Sequence, residues 1–263
     1  MSMELAVLVK QVPDSDEVKM DSEKGTMIRE GVSSIINPLD LNALEAAVDI
    51  RRIHGGRVTT LTMGPPQAEE ALRETIALGA DRAVLLSDRA FAGADSWATA
   101  LVLSEALQKL GPFDMVIAGE KATDGETGQV GPEVAAMMGF NLSTYVSFME
   151  VGPEGVAVKS SFEEGLQYQL IPFPCLLTVL NDLNESSIPT LSGKKKGRRA
   201  QIVRMELSEL GLPRESVGLS GSPTRVVRIE TPKITRQTEF FKGGDIDMGI
   251  ERVIEILKQS AII

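Results

Sequence analysis

The chain has 263 residues, 43% of them hydrophobic, with a formal net charge of −10, which suits one large α/β domain with an appendage, or two domains. The acidic balance argues against nonspecific nucleic-acid binding, which needs a basic footprint, and no apolar run reaches the roughly 18 residues of a membrane span. A single cysteine, Cys175, and a single histidine, His54, exclude an intrachain disulfide, a Cys-rich metal or iron–sulfur site and a His-rich metal site.

The N-terminus, MSMELAVLVK, lacks the basic segment and cleavage site of a secretory signal, so Leu5–Lys10 reads as a buried first strand. With the lone thiol, this points to a reducing, cytoplasmic compartment. The next twenty or so residues read as loop with a small hairpin around Gly25. Asn37-Pro38 is a turn, and leucines and alanines then recur at helical spacing from Leu39 to Ile53. His54 lies at the end of that pattern, where a cationic helix terminus is a better reading than catalysis.

Arg57–Met63 is a second strand, Gln67–Leu78 a helix and Arg82–Leu86 a third strand. Ser96–Leu110 is a helix with Asp95 or Ser96 as N-cap. Met115–Ala118 is a fourth strand, and Gln129–Met138 is the helix after it. Uniformly apolar strands alternating with helices predict a doubly wound, Rossmann-like parallel sheet covered on both faces. Ligands bind such sheets at the carboxyl ends of the strands. Those ends are Lys10–Asp14, Met63–Pro66, Ser87–Ala94 and Gly119–Gly128, expected on one rim.

After residue 143, Thr144–Val151, Val156–Ser161 and Leu166–Ile171 read as antiparallel additions, and Cys175–Leu180 returns to the core with a buried, inert thiol. Residues 182–204 turn strongly basic. Lys194, Lys195, Lys196, Arg198 and Arg199 read as a solvated loop or as a partner-facing or anion-steering patch, with Leu191 as a core anchor or a docking knob. Residues 211–223 read as loop and Val226–Ile229 as a short strand. A linker-like Thr231–Gly244 and an amphipathic helix at Asp245–Leu257 follow as a C-terminal arm, which packs on its own domain or embraces a neighbouring subunit, the polar connection favouring the second.

The most informative stretch is DMVIAGEKATDGETGQVGPEVAAMM, residues 114–138. Strand, Gly-containing loop and helix follow one another, and a helix start offers unpaired N–H groups and a positive dipole end to a phosphate. Asp124, Thr127 and Gln129 can bond ribose or phosphate oxygens. An ordinary βα loop remains the alternative, because no Walker or G-x-G-x-x-G pattern occurs. No nucleophile elbow or nucleophile–base set is present, which disfavours a hydrolase.

Several segments taken together resemble the β subunit of electron transfer flavoproteins. They are AVLVKQVPD, Ile36-Asn37-Pro38, Met63-Gly64-Pro65, LGADRAVLL, ATDGETGQVGP and LNESSIPTLSGKKKGRRAQI. The resemblance implies a cofactor-binding α/β domain over 1–230, with a partner-recognition loop at 182–204. It also implies an arm over 231–263 that packs on an α subunit holding the electron-shuttling FAD. In ordinary members the β subunit buries AMP and serves as half of an electron carrier for acyl-CoA or other flavin dehydrogenases. In electron-bifurcating members it binds a second FAD, which NADH reduces. Electrons then pass singly to a high-potential acceptor and to ferredoxin or flavodoxin. VKMDSEKGTMIREGVSSIINP, TMGPP, SDRAFAGADSWAT, DGETGQVGP and GSPTRVVRIETPK resemble the bifurcating group and favour FAD over AMP here.

By position, the resemblance assigns cofactor contacts to Leu8, Asn37, Pro38, Leu39, Asp40, Met63 and Asp95. It adds Gly119, Glu120, Lys121, Ala122, Thr123, Asp124, Gly125, Glu126, Thr127, Gly128, Gln129 and Val130, and it assigns partner docking to Leu191. Catalytic side chains and metal ligands are not expected, since flavin carries the chemistry. Two departures stand out. Glu120-Lys121 replaces the family's Lys or Arg followed by Gln, and Glu185-Ser186-Ser187-Ile188 replaces a segment that often holds an Arg and an aromatic. A stand-alone adenine-nucleotide-binding regulatory module is the competing reading.

Overall fold

A computed structural model of the chain describes residues 2–14, 19–20, 27–28, 33–225 and 238–260, in two compact units, Met1–Val227 and Arg228–Ile263. In the first unit the strands and helices run β1 (Met3–Leu8), β2 (Gln11–Pro13), β3 (Lys19–Met20), β4 (Met27–Ile28), β5 (Ser34–Ile36), α1 (Pro38–His54), β6 (Gly56–Met63), α2 (Glu69–Leu78) and β7 (Arg82–Leu86). There follow α3 (Ser96–Leu110), β8 (Met115–Gly119), α4 (Val130–Met138), β9 (Asn141–Val151), β10 (Gly155–Phe162), β11 (Gly165–Pro172) and β12 (Cys175–Val179). Then come α5 (Leu191–Arg199), β13 (Val203–Met205), α6 (Leu207–Leu210) and α7 (Gly218–Gly221). The second unit contains α8 (Ile246–Gln259).

The described residues form a nine-stranded sheet in the order β11-β10-β9-β12-β8-β1-β6-β7-β13. Pairing is parallel from β9 through β12, β8, β1, β6 and β7 to β13. The β9–β10 and β10–β11 pairs are antiparallel. Central strands are apolar on both faces because both faces are covered. Leu5 and Val7 point into a core with Ala43, Leu44 and Ala47 of α1 and Leu72 and Ile76 of α2. Ala6 and Leu8 point into a second core with Leu103 and Leu107 of α3 and Val134 of α4. Truncating a fully buried leucine such as Leu5 to alanine is expected to cost about 2–5 kcal/mol.

The β3–β4 ladder pairs Lys19 with Ile28 and Met20 with Met27, as the hairpin reading around Gly25 anticipates. The expected helix at Ser96–Leu110 has those bounds, with Asp95 accepting from Ala98 N as its N-cap (3.0 Å). His54 occupies the last turn of α1. Cys175 is buried, and its thiol is pushed up to about 12 by desolvation, with Asp114 adding to the rise.

The basic run departs from the solvated-loop reading. Residues 191–199 form α5, capped by Thr190 Oγ1, which accepts from Gly193 N at 3.0 Å. A Cβ at Gly193 would collide with the Ala77 carbonyl oxygen, and one at Gly197 with that of Arg73. Both glycines are therefore needed for the close approach of α5 to α2. Arg73 donates to the carbonyls of Gly197, Arg198 and Ala200, satisfying the C-terminal end of the helix. Residues 211–223, read as loop, include α7.

In the second unit, Arg252 of α8 pairs with Glu239 at 3.2 Å and Glu255 at 2.9 Å. Ile246, Ile250, Val253 and Ile254 are exposed. The strand expected at Val226–Ile229 lies outside the described residues. Among the described residues no helix is long and apolar enough to cross a membrane.

Candidate functional site

The carboxyl ends of β1, β6, β7 and β8 open into one cavity of about 1320 Å³. Its walls come from Leu8–Lys10, Met63–Pro66, Ser87–Arg89 with Phe91–Ser96, and Gly119–Ala122 with Gly125–Gly131, and from Asp40 of α1. The four strand ends expected on one rim thus meet there, with the Lys10–Asp14 segment represented by Lys10.

The start of α1 locks two of these walls together. Pro38 sits in its first turn, where a missing N–H is harmless. The fully buried Asn37 donates from Nδ2 to Lys121 O at 2.9 Å and accepts from Thr123 N at 3.2 Å, so its carboxamide holds the 119–124 loop. Asp40 Oδ2 accepts from Lys10 N at 2.7 Å and Oδ1 from Gly119 N at 3.1 Å, tying the end of β1 to the end of β8. Burial pushes the Asp40 carboxyl up to about 7 against these hydrogen bonds. Gly119 has no room for a side chain, since a Cβ would collide with the Asp40 carboxylate.

Beyond Gly119, Lys10 Nζ meets Asp124 Oδ1 at 2.7 Å. Glu126 and Gly128 take positive φ values of 52° and 63°. The Glu126 amide donates to Ala122 O at 2.8 Å and the Gln129 amide to Thr127 Oγ1 at 3.4 Å, so the turn closes on itself. Helix α4 begins directly after, with no side chain capping it. Val130 and Gly131, first-turn residues whose N–H groups have no intrahelical acceptor, are among the residues lining the cavity, at the positive end of the helix dipole. The loop therefore has the donors of a phosphate seat.

The opposite wall is polar and self-bonded. Asp88 accepts from Ala90 N at 2.9 Å and Leu207 N at 3.2 Å, and these bonds hold its carboxyl below the usual range. Burial works to raise the Asp95 carboxyl, but bonds from Ala98 and from the Thr224 hydroxyl and amide hold it low. Thr224 donates to Asp95 Oδ2 from both N (2.9 Å) and Oγ1 (2.8 Å). Ser96 Oγ reaches Glu133 Oε1 at 3.2 Å, and Glu133 is raised by burial, with Ser96 opposing and Asp95 adding to the rise. Glu206 and Arg214 close this side.

Of the sequence-predicted residues, Leu8, Asp40, Met63, Asp95, Gly119 to Ala122 and Gly125 to Val130 line the cavity. Asn37, Pro38, Leu39, Thr123 and Asp124 are not among the lining residues; Asn37 bonds Lys121 and Thr123, and Asp124 pairs with Lys10. Leu191 is not part of it and is 89% exposed, at the head of a shallow groove shared with Lys194, Lys195 and Arg198. Sequence reasoning missed Gly131, Glu206 and Arg214 as wall residues. Gly131 carried a signal, lying in the first turn of the predicted helix. Arg214 carried none, because only the fold brings it to this rim.

A family model described as the electron transfer flavoprotein domain matches residues 24–210. The chain belongs to the electron transfer flavoprotein family. It is 43% identical to the electron transfer flavoprotein subunit beta of Thermoanaerobacterium thermosaccharolyticum over 99% of this chain and 100% of that one. It is 41% identical, with the same coverage, to the caffeyl-CoA reductase-Etf complex subunit CarD of Acetobacterium woodii. Protein FixA of Azorhizobium caulinodans is 42% identical over 88% of this chain and 85% of its own length. Within the family the similarity is to β subunits, over nearly the whole chain.

Proposed function

We propose that the chain is the nucleotide-holding half of a two-subunit electron carrier and that its cavity seats the adenine-nucleotide part of an FAD. The observation that carries this reading is the combination of an uncapped α4 start, a left-handed Glu126–Gly128 turn and a cavity of about 1320 Å³. Ligand pockets commonly span about 300–1,000 Å³, so this one suits an elongated cofactor better than a mononucleotide. The segments that resemble the bifurcating group support the same choice.

Bound flavin would accept an electron pair from NADH and release single electrons, one to a high-potential acceptor and one to ferredoxin or flavodoxin. The chain supplies the setting. Leu8 and Met63 offer apolar contact to adenine. Thr127, Gly128, Val130 and Gly131 offer N–H donors to the diphosphate. Asn37 and Asp40 hold the two walls at fixed separation. The α subunit completes the carrier, with the arm over 231–263 packing on it. Leu191, fully presented to solvent, docks the dehydrogenase partner.

The test is to purify the heterodimer, denature it and identify the released cofactors. Two FAD per heterodimer is the expected result. One FAD with one AMP would remove the bifurcating reading and leave an ordinary carrier serving acyl-CoA dehydrogenases. Adenine nucleotide without any flavin or second subunit would leave only a regulatory module.

A further inference from the structure

Helix α1 carries a second set of contacts beyond Asp40 that the cavity does not use. Asn42 is buried. Its Nδ2 donates to the backbone oxygen of Asn184 at 2.7 Å and to Asn184 Oδ1 at 3.0 Å, and Asn184 Nδ2 donates back to Asn42 O at 3.0 Å. Almost one turn later, the two carboxylate oxygens of Glu45 accept from Ser187 N at 2.9 Å and from Ser187 Oγ at 2.8 Å. Residues far apart in sequence are thereby fixed at 184 and 187. On the other side, Thr190 caps α5, and Gly193 and Gly197 seat that helix on α2.

Ile188 lies between these anchorages, and Leu191 opens α5 directly after the second. They are 87% and 89% exposed, the two most exposed large hydrophobic side chains among the described residues. Leu191, Lys194, Lys195 and Arg198 recur at helical spacing on one face of α5 and share a groove. A segment with nothing to bury is pinned at both ends so that two aliphatic groups stand in water beside a strip of cations. Pinning of that kind removes the ordering cost from a later association.

We propose that Asn42 and Glu45 are positioning residues for partner docking. They preorganise residues 184–191 so that Ile188 and Leu191 enter an apolar socket with an acidic rim on the electron-transfer partner, the rim facing Lys194, Lys195 and Arg198. This rests on the docking role proposed above for Leu191, and it adds Ile188, the clamp and the chemistry of the partner surface. Neither Asn42 nor Glu45 lines the cofactor cavity, so the clamp is separable from cofactor binding.

The experiment uses the holo-heterodimer and a purified acyl-CoA dehydrogenase that exchanges electrons with the wild type. Electron-transfer rates are measured against dehydrogenase concentration for Glu45→Ala, Glu45→Gln, Ile188→Ala and Leu191→Ala, with amide hydrogen exchange at Ser187 read in parallel. Glu45→Ala is expected to speed exchange at Ser187 and to raise KM for the dehydrogenase about 5- to 30-fold, with kcat and cofactor content unchanged. Glu45→Gln keeps a carbonyl acceptor for Ser187 N and is expected to recover most of the loss. Ile188→Ala is expected to raise KM as Leu191→Ala does, and wild-type KM to rise with ionic strength. Faster exchange in Glu45→Ala with wild-type KM, while Leu191→Ala raises KM, would overturn the clamp and spare the docking reading. Wild-type KM in Leu191→Ala would overturn the docking reading itself. A KM indifferent to salt would overturn the acidic rim.

Discussion

Gly128 allows the phosphate seat to be tested by charge alone. Its φ of 63° is a left-handed conformation that asparagine and aspartate tolerate better than other side chains. A Cβ there would lie 3.4 Å from Glu120 Oε1 and 3.5 Å from Glu120 O, which is ordinary contact. Gly128→Asn and Gly128→Asp therefore carry nearly the same backbone and steric cost and differ by one negative charge. A carboxylate about 5 Å from a phosphate charge, at an effective dielectric of about 20, is repelled by about 3 kcal/mol. That is roughly a hundredfold in affinity. We expect ADP to bind the nucleotide-depleted Gly128→Asp heterodimer about a hundredfold more weakly than the Gly128→Asn form, by titration calorimetry at low salt. The gap should narrow as salt is raised. Equal affinities of the two variants would refute the placement of phosphate at this loop.

Asp40 gives a pH prediction. Its carboxyl is raised from 3.8 to about 7 in the fold, so it binds its proton more tightly folded than unfolded. Its contribution to stability is fully present below about pH 4 and is lost as pH rises through 7, in total about 4 kcal/mol. Asp40→Asn should therefore flatten the pH dependence of the melting temperature between pH 5 and pH 8, and a slope equal to wild type would contradict the burial argument. Gly193→Ala should lower stability by about 1–3 kcal/mol in urea unfolding by forcing α5 off α2. Lys195→Ala on the exposed face of the same helix should stay within about 0.5 kcal/mol. Cys175, with its thiol pushed up to about 12, should resist iodoacetamide at pH 8 until urea unfolds the chain. Rapid native labelling would show that the thiol is accessible.

What the sequence disclosed was the sheet's centre. Runs such as Arg82–Leu86 and Met115–Ala118 admit few conformations other than buried strands, and Asp95 before Ser96 marks a helix start by its own hydrogen bond. The glycines of residues 119–131 pointed, for the same local reason, to the rim where the cavity opens. The basic helix was hidden because Leu-Ser-Gly-Lys-Lys-Lys-Gly-Arg-Arg has no apolar period. Its two glycines look like loop until Ala77 and Arg73 are seen beneath them. Val203–Met205 is too short to be recognised without β7 beside it. The bracing roles of Asn37 and Asp124 and the arrival of Glu206 and Arg214 at the cavity are products of tertiary structure.

Photolabelling most directly tests whether this chain itself holds the nucleotide. The nucleotide-depleted heterodimer would be irradiated with 8-azido-ADP, digested and mapped by mass spectrometry. The label is predicted on peptides of this chain that wall the cavity, those containing Leu8–Lys10, Met63–Pro66 or Gly119–Gly131, and it should be displaced by unmodified ADP. Label confined to the other subunit, or to peptides of this chain away from the cavity, would contradict the account.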